Sequence, residues 1–191
     1  MTLRALVVDA YHPEDPDRSV VDAAVAILDR AGHRIRRVDL VAEGFTPVMS
    51  AAERRAYHDE GANVLEAEVA ESTEAVAWAD AMLFCYPTRA FTVPAVLKAW
   101  FERVLLPGVA FGFDSRGRVA PGLTHIRRLG VVTSTPHGRR RTVRARDGGR
   151  RTIMWTIRLS CAKTCLRTFV SLPTGASAAD YGPALRRLRR W

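Results

Sequence analysis

Short apolar runs alternate along the chain with segments in which apolar residues recur at helical spacing. Unbroken apolar runs of this length are typical of strands that a parallel sheet buries on both faces. Apolar residues three and four positions apart are typical of helices that bury one face. The predicted strands are residues 3–9, 33–40, 81–86, 128–133 and 166–172, and the predicted helices are residues 19–31, 50–57, 63–78, 94–104, 152–161 and 180–190. This alternation predicts an α/β fold, and we expect residues 1–191 to form a single domain.

The clearest of these units is the segment 80–104, a buried strand followed by a short loop and a helix. Pro87 ends the strand, and Pro94 suits the first turn of the helix, where its missing N–H removes a donor that has no helical partner. The loop at residues 87–92 leaves the carboxyl end of the strand. Because open α/β sheets bind ligands at that end of their strands, we expect this loop to form part of the functional site.

The loop between the first predicted strand and the first helix, residues 10–18, is a second candidate. Ser19 suits the N-cap of the helix, with Asp22 in a capping-box-like position, and Gly32 ends the helix. Unpaired N–H groups and the helix dipole at such a terminus favour an anion. The sequence therefore predicts a phosphate site at the start of this helix.

Three further segments have local signatures. Ser50 and Glu53 form a predicted capping box. Residues 107–124 are rich in glycine and are predicted to form a loop with a turn at residues 114–117. Residues 139–151 have the composition of a mobile loop.

Composition indicates one sizeable core, because 48% of the 191 residues are hydrophobic. No apolar run is long enough to span a membrane, and the chain opens directly on a predicted strand without a signal-peptide pattern. Cys85 lies in a predicted core strand, while Cys161 and Cys165 lack the companion ligands of a zinc site. We therefore expect a reduced, cytoplasmic protein with no metal site and no membrane association.

The net charge is +9, and much of the excess lies in residues 139–151 and 186–190. Basic runs of this kind attract phosphates, so a nucleic-acid-associated protein is one reading. An arginine-rich solvated surface is the other, and we favour it because the runs lack a nucleic-acid-binding motif and neighbouring aromatic residues. Arginines near the mouth of the site would still attract anionic cofactors.

Other catalytic patterns are weak. No serine lies in a G-x-S-x-G context, and no G-x-G-x-x-G follows the first strand, which argues against a serine hydrolase elbow and a dinucleotide-binding Rossmann loop. The glutamates of the predicted helix 63–78 are spread around its surface rather than set as a facing acid–base pair.

The chain resembles the flavodoxin-like NAD(P)H:quinone oxidoreductase family over nearly its whole length. The match is densest around the third predicted strand and the helix after it, and it continues in the loops after the first and second strands. The residues that carry the resemblance are Pro87, Phe91, Pro94, Ala95, Leu97, Lys98, Trp100, Glu102, Arg103, Val104, residues 107–111, residues 10–13, Ser19, residues 39–40, residues 44–45 and residues 47–50.

The resemblance implies a three-layer flavodoxin-like sandwich whose five parallel strands follow the order 2-1-3-4-5. It implies bound FAD or FMN, NADH or NADPH as the hydride donor, and a quinone-like or other aromatic acceptor. The acceptor would use the site that the nicotinamide has left. The resemblance also implies a homodimer, which the apolar content of residues 100–113 supports.

Candidate site residues lie in these loops. Tyr11 and His137 are candidates for acid–base catalysis, with His125 as a further candidate, and His137 lies in the expected loop without a matched role in the family. The candidate flavin contacts are His12, Ser19, Val20, Pro87, Thr88, Arg89, Ala90, Phe91, Thr133, Ser134 and Thr135.

The chain departs from the family at two places. Ala90 replaces an aromatic residue beside an unusual Arg89. Either the pocket is wider and more positive and favours a bulkier or anionic acceptor, or Arg89 points to solvent and Phe91 alone supplies the wall. Thr135 and Pro136 replace two glycines, and Pro136 has no N–H to donate to a flavin. A flavodoxin-fold protein with a non-redox or specialised biosynthetic role is therefore the alternative reading.

Overall fold

The computed structural model describes residues 2–191, apart from the side chains of Arg139 and Val143. The strands are β1 Arg4–Asp9, β2 Arg34–Asp39, β3 Ala81–Pro87, β4 Phe111–Phe113, β5 Val119–Pro121, β6 Arg128–Thr135 and β7 Leu166–Pro173. Five of them form a parallel sheet in the order β2-β1-β3-β6-β7. Counted along the sheet strands, this is 2-1-3-4-5, which confirms the predicted flavodoxin-like topology.

Helices cover both faces of the sheet. The helices are α1 Ser19–Arg30, α2 Ala51–Ala56, α3 Ala67–Trp78, α4 Ala95–Val104, α5 Arg139–Arg144, α6 Gly148–Arg151, α7 Arg158–Ser160 and α8 Ala178–Ala184, with a π-helical segment Thr152–Ile157 before α7 and a 3₁₀ helix Leu185–Arg190 after α8. The apolar faces of α3, α4 and the π-helical segment belong to one core layer. The apolar face of α1 and the chain after β7 belong to the other.

The central strand β3 organises the sheet, as its sequence predicts. All seven of its residues are buried, and it pairs with β1 on one side and β6 on the other. Met82 and Phe84 point into the layer of α3 and α4, whereas Leu83 and Cys85 point into the layer of α1. Continuous apolar sequence is required here because both faces of the strand are covered.

Two helix starts test the predicted caps. The Ser50 hydroxyl accepts the N–H of Glu53, whose carboxylate accepts the N–H of Ser50, so the predicted capping box is confirmed. The predicted Ser19 cap is wrong, because Arg18 occupies the N-cap without a side-chain cap bond. The turn before α1 is already helical, since the N–H of Arg18 donates to the carbonyl of Asp15 (3.0 Å).

Two predicted loops contain regular structure. Residues 107–124 include the antiparallel pair β4–β5, and the turn predicted within them is present, with Gly117 at φ 72°. Residues 139–151 are not a loop throughout, because α5 and α6 lie within them. The composition of these two segments does not predict these elements, because the strands are short and pair with each other and the helices are short and rich in arginine.

The ends of several elements differ from the sequence prediction. The helix predicted at residues 63–78 begins at Ala67. The helix predicted at residues 180–190 is divided between α8 and the 3₁₀ helix, with Pro183 inside α8. Proline removes a helical hydrogen bond, which accounts for the division.

The aromatic content of residues 100–113 is mostly buried within its own chain. Trp100 is fully buried and donates from its indole N–H to the hydroxyl of Ser72 (3.1 Å), and Phe101 is also buried. Phe113 is the exception, with 52% of its surface exposed. The apolar content of residues 100–113 predicts an interface. In the structure, Phe113 and its neighbours are the part of this segment that is exposed and could contribute to one.

Neither a membrane helix nor a metal cluster is present in the described part of the chain. Among residues 2–191, no helix combines the length and apolar composition needed to cross a membrane. Within the same residues, no three His, Cys, Asp or Glu side chains are placed to hold a metal ion.

A buried ion-pair network joins α4 to α2 and α3. The Arg103 guanidinium lies 2.9 Å from Glu53, with 3% and 5% of the two side chains exposed. It also pairs with Glu68 and donates to the carbonyl of Thr46 (2.6 Å). A guanidinium this deeply buried needs such partners, because an uncompensated charge is strongly destabilising.

We expect Glu53→Gln to lower the free energy of unfolding by about 2–4 kcal/mol, because it leaves part of the Arg103 charge buried without compensation. Urea denaturation measures this. The control is Glu102→Gln, which breaks the exposed pair with Lys98 on the same helix and should cost less than about 1 kcal/mol. Equal losses in both variants would contradict the assignment.

Candidate active site

Three loops meet at the carboxyl ends of β1, β3 and β6, and buried hydroxyl groups join them. The N–H of Thr88 donates to the carbonyl of Ser134 (2.7 Å), and the hydroxyls of Thr88 and Thr133 lie 2.8 Å apart. The Tyr11 hydroxyl accepts the N–H of Ser134 (2.9 Å) and donates to its side-chain oxygen (3.2 Å). The structure therefore brings together four of the residues that the sequence predicts for the site.

The Tyr11 hydroxyl is placed to position the loop after β6. Tyr11 is fully buried, and burial raises the pKa of its hydroxyl well above the usual tyrosine value, so the group stays protonated at neutral pH. Its proton is directed at Ser134 and its oxygen accepts the Ser134 N–H. A direct catalytic role for Tyr11 stays a prediction.

The loop after β3 contains a strained turn. Arg89 and Thr92 exchange two backbone hydrogen bonds of 3.0 and 2.8 Å, and the central residues Ala90 and Phe91 have φ angles of 45° and 60°. Positive φ in residues other than glycine costs on the order of 1–3 kcal/mol each and occurs preferentially at functional sites. The pair uses the N–H groups of Arg89 and Thr92, whereas none of the described backbone hydrogen bonds uses those of Ala90 and Phe91.

Phe91 connects this turn to the segment after β6. Its ring stacks on the His137 imidazole, with centroids 4.2 Å apart and planes 17° apart. Its carbonyl accepts the N–H of Gly148 (2.7 Å). His137, a predicted catalytic residue, therefore lies against Phe91, a predicted flavin contact.

Gly149 allows the segment 139–151 to approach the loop after β3. A Cβ at Gly149 would lie 2.9 Å from the Tyr86 hydroxyl and 3.0 Å from a Val93 methyl group, so both neighbours would have to shift to admit it. Glycine allows this close contact without such a shift. The contact fixes the arginine-rich segment beside the site.

Arg89 does not line a pocket as the sequence suggests. Its guanidinium lies 2.7 Å from Asp15, an ion pair that joins the loop after β3 to the loop after β1. With its charge compensated, Arg89 is a weak source of positive potential for a ligand. Ala90, its neighbour, is exposed.

The loop predicted to bind phosphate holds its own anions. Carboxylates of Asp9, Asp15 and Asp17 accept backbone N–H groups at 2.9, 2.9 and 2.7 Å respectively, from residues 11, 12 and 175. Burial raises the pKa of Asp9, opposed by the hydrogen bonds that its carboxylate accepts. The N–H groups of residues 11 and 12 are thus already satisfied, and a phosphate would meet like charge.

The other predicted residues of this loop are similarly engaged. The Ser19 hydroxyl lies 3.0 Å from that of Tyr181. His12 is exposed, and its Nδ1 accepts the N–H of Glu14 (3.2 Å). The Val20 side chain is buried in the layer of α1, so it faces the core. Their contacts with a cofactor stay predictions.

The remaining predicted residues divide by position. Pro87 is buried as the last residue of β3, opposite Ser134. Thr135 is buried, and its hydroxyl accepts the N–H of His137 (3.2 Å). His125 lies elsewhere, with its Nε2 3.1 Å from the carbonyl of Val76 in α3.

A cavity of about 830 Å³ adjoins these loops. Thr135 and His137 form its boundary with the site, and the rest of its lining comes from residues 138–155 and β7. Ligand pockets commonly measure about 300–1,000 Å³. The sequence predicts arginines near the mouth of the site but contains no signal for this cavity, because its lining comes from residues far apart in the chain.

The residues at the strand ends fit the ring of a flavin better than its phosphate. The Ala90–Phe91 turn supplies two amides and an aromatic face, and it lies beside the loop that Tyr11 holds. These groups suit the polar edge and the face of an isoalloxazine ring. The loop after β1 does not fit a phosphate equally well, because its own carboxylates accept its amides.

The family model described as flavodoxin-like fold matches residues 4–158, most of the chain. The chain belongs to this family.

The flavodoxin-like chain is similar to two curated quinone reductases. Its identity to rat NAD(P)H dehydrogenase [quinone] 1 is 25% over 177 residues, which cover 85% of this chain and 64% of the relative. Its identity to FMN-dependent NADH:quinone oxidoreductase 3 of Pseudomonas aeruginosa is 36% over 85 residues, which cover 44% of this chain and 35% of the relative. The chain thus matches less than two thirds of the length of either relative.

A solved structure extends the fold comparison. The NAD(P)H:quinone oxidoreductase from Methanothermobacter marburgensis has a TM-score of 0.77 and 23% identity, covering 100% of this chain and 97% of that one. At this identity the likeness concerns the fold.

We expect Ala90→Gly to raise the free energy of unfolding by about 1 kcal/mol, because glycine adopts positive φ without strain. Chemical denaturation measures the change. The control is Ala70→Gly within α3, which should lower stability by about 1 kcal/mol. If both substitutions destabilise equally, the turn is not strained.

We expect Asp15→Asn to raise FMN affinity by about threefold while leaving riboflavin affinity unchanged, because it removes a negative charge and frees Arg89. Titration calorimetry with the two flavins isolates the effect of the phosphate. Asp114→Asn, which breaks an exposed pair with Arg118 on the β4–β5 hairpin, should change neither affinity. A loss of FMN affinity in Asp15→Asn would contradict the unfavourable-charge argument.

Proposed function

We propose that this protein is a flavin-dependent oxidoreductase that transfers a hydride from NADH or NADPH to a quinone-like or other aromatic acceptor. The observation that carries the proposal is the strained Ala90–Phe91 turn, set beside a loop that Tyr11 holds through Ser134. This arrangement offers amides and an aromatic face at the carboxyl ends of neighbouring strands, where this fold binds ligands. The similarity to two curated quinone reductases supports the same activity.

The chain's own groups bind and orient the ring. A flavin bound here would supply the hydride-transfer chemistry. The N–H groups of Ala90 and Phe91, which no described backbone hydrogen bond uses, would hold its polar edge and stabilise negative charge there. Phe91 supplies the aromatic wall, and Tyr11 keeps the second loop in place.

His137 is the candidate for moving a proton. Its imidazole is partly exposed and borders the cavity, so it can exchange a proton with solvent and with an acceptor. Tyr11, by contrast, is buried and stays protonated. The two catalytic candidates therefore have different roles, with His137 as a proton carrier and Tyr11 as a positioning group.

A homodimer and a cytoplasmic location belong to the proposal. Phe113 and Val119, a cross-strand pair on the β4–β5 hairpin, expose 52% and 69% of their surfaces. An exposed apolar pair suits an interface, and a monomer in light scattering would contradict it. Cys85, Cys161 and Cys165 are free thiols, which suits a reducing compartment.

A flavodoxin-fold protein without redox turnover is the second candidate. The carboxylates at the loop after β1 favour it, because they oppose the phosphate of a flavin nucleotide. Pro136 adds to this, since it cannot donate an N–H to the ring.

The decisive experiment measures the visible spectrum of the purified protein and identifies any flavin released on denaturation. Oxidation of NADH and NADPH is then followed with naphthoquinone as acceptor, before and after incubation with FMN or FAD. We expect a flavin spectrum, or its appearance after incubation, together with quinone-dependent oxidation. Absence of both flavin binding and turnover under all these conditions would favour the second candidate.

We expect Phe91→Ala to lower flavin affinity by about tenfold, since stacking on an aromatic side chain contributes about 1–3 kcal/mol. Phe113→Ala, which truncates the exposed phenylalanine of the hairpin, is the matched control and should leave flavin affinity unchanged. Quenching of flavin fluorescence measures both. Unchanged affinity in Phe91→Ala would remove Phe91 from the proposed ring site.

A further inference from the structure

The cavity beside the proposed flavin site has a cationic lining. Arg146, Arg150 and Arg151 all border it, against one carboxylate, that of Asp147. The Asp147 side chain is turned to its own backbone, where it accepts the N–H of Arg150 at 3.0 Å. Three guanidinium groups and one carboxylate border the cavity, so its lining carries an excess of positive charge.

These arginines are also available. Among the described side chains, no ion pair involves Arg146, Arg150 or Arg151, whereas Arg89 pairs with Asp15 and Arg103 with Glu53. An arginine that is already paired with a carboxylate has few free N–H donors for a ligand. An unpaired guanidinium can bind a carboxylate, sulfonate or phosphate through two parallel hydrogen bonds.

The walls of the cavity suit a flat ring. Trp155 and Phe169 line it, and the Arg150 guanidinium lies over the Phe169 ring, 4.9 Å from its centroid. Trp155 belongs to the π-helical segment and exposes 62% of its surface. The Arg167 guanidinium lies over its ring, 4.7 Å from the centroid, and π-helical turns occur frequently at functional sites.

The cavity is continuous with the site through His137. His137 lines the cavity and stacks on Phe91, so a ring in the cavity lies beside the groups that hold the flavin ring. This arrangement corrects the source of the positive pocket that the sequence predicts, since the charge comes from the segment after β6 rather than from Arg89.

We propose that this cavity binds the acceptor, and that the acceptor is a planar aromatic molecule carrying an anionic group. The ring packs between Trp155 and Phe169, and the anionic group pairs with Arg146, Arg150 and Arg151. The assignment rests on the proposed function, because it names the acceptor of that reaction. The pyridine nucleotide donor also contains aromatic rings and phosphates. The experiment therefore distinguishes binding of the acceptor from binding of the donor.

Titration calorimetry on the purified protein, without NADH or NADPH, compares naphthoquinone with naphthoquinone sulfonate, which differ in one negative charge. We expect the sulfonate to bind about tenfold more tightly at low salt and to lose this preference as salt is added. Arg150→Gln should reduce sulfonate affinity by about threefold to tenfold and change naphthoquinone affinity by less, because the Arg150 guanidinium also lies over the Phe169 ring. Arg150→Lys, which keeps the charge without the planar fork, should give an intermediate loss.

Arg36→Gln is the matched control. Arg36 also lies over an aromatic ring, 4.7 Å from the centroid of Trp78, but it belongs to β2 at the opposite edge of the sheet. It should change neither affinity. Equal binding of the two quinones, or equal effects of Arg150→Gln and Arg36→Gln, would overturn the proposal.

Two further outcomes separate the alternatives. If the adenosine bisphosphate half of NADPH displaces the sulfonate and loses affinity in Arg150→Gln by more than the sulfonate does, the arginines hold the donor's phosphate and the acceptor assignment is wrong. If the sulfonate preference is present but no quinone is reduced, the anionic aromatic site stands and the proposed reaction fails. If quinones are reduced without a sulfonate preference, the proposed reaction stands and the anionic aromatic site is wrong.

Discussion

The architecture of the site depends on hydrogen bonds that cross above the central strand. The Tyr11 hydroxyl reaches from the loop after β1 to the backbone of Ser134 after β6, while Thr88, directly after β3, binds the same segment. Because β3 is covered on both faces and paired on both edges, its end is a fixed point. Loops tied to that point hold strained backbone without relaxing it, which is the condition for the positive φ of Ala90 and Phe91.

Charge is divided unequally between the two sides of this fixed point. On the side of β1, carboxylates accept the amides of their own loop and pair with arginine, so little potential remains for a ligand. On the side of β7, three arginines border a cavity without a carboxylate partner among the described side chains. The net charge of +9 alone would suggest a diffuse basic surface. How much of this charge is available to a ligand depends on which arginines are already paired with carboxylates.

The sequence predicts the sheet well, because strand burial is written into unbroken apolar runs such as residues 81–86. It predicts the Ser50 cap because that cap needs only residues three apart. It fails at Ser19, where the turn before α1 is already helical and the hydroxyl finds Tyr181. It also fails at residues 139–151, whose position is set by distant partners: the approach of Gly149 to Tyr86 and Val93 has no local signature. Resemblance identifies most of the residues at the strand ends, but the pairing of Arg89 and the cavity beside β7 exist only in three dimensions.

The contact at Gly149 has a consequence for how this site can change during evolution. A side chain at residue 149 would force Tyr86 or Val93 to shift, so substitution there would disturb the position of the segment. Arg146, Arg150 and Arg151 border the cavity without an ion-pair partner among the described side chains. Substitution of these arginines would therefore change ligand preference with less disturbance of the scaffold than substitution of Gly149.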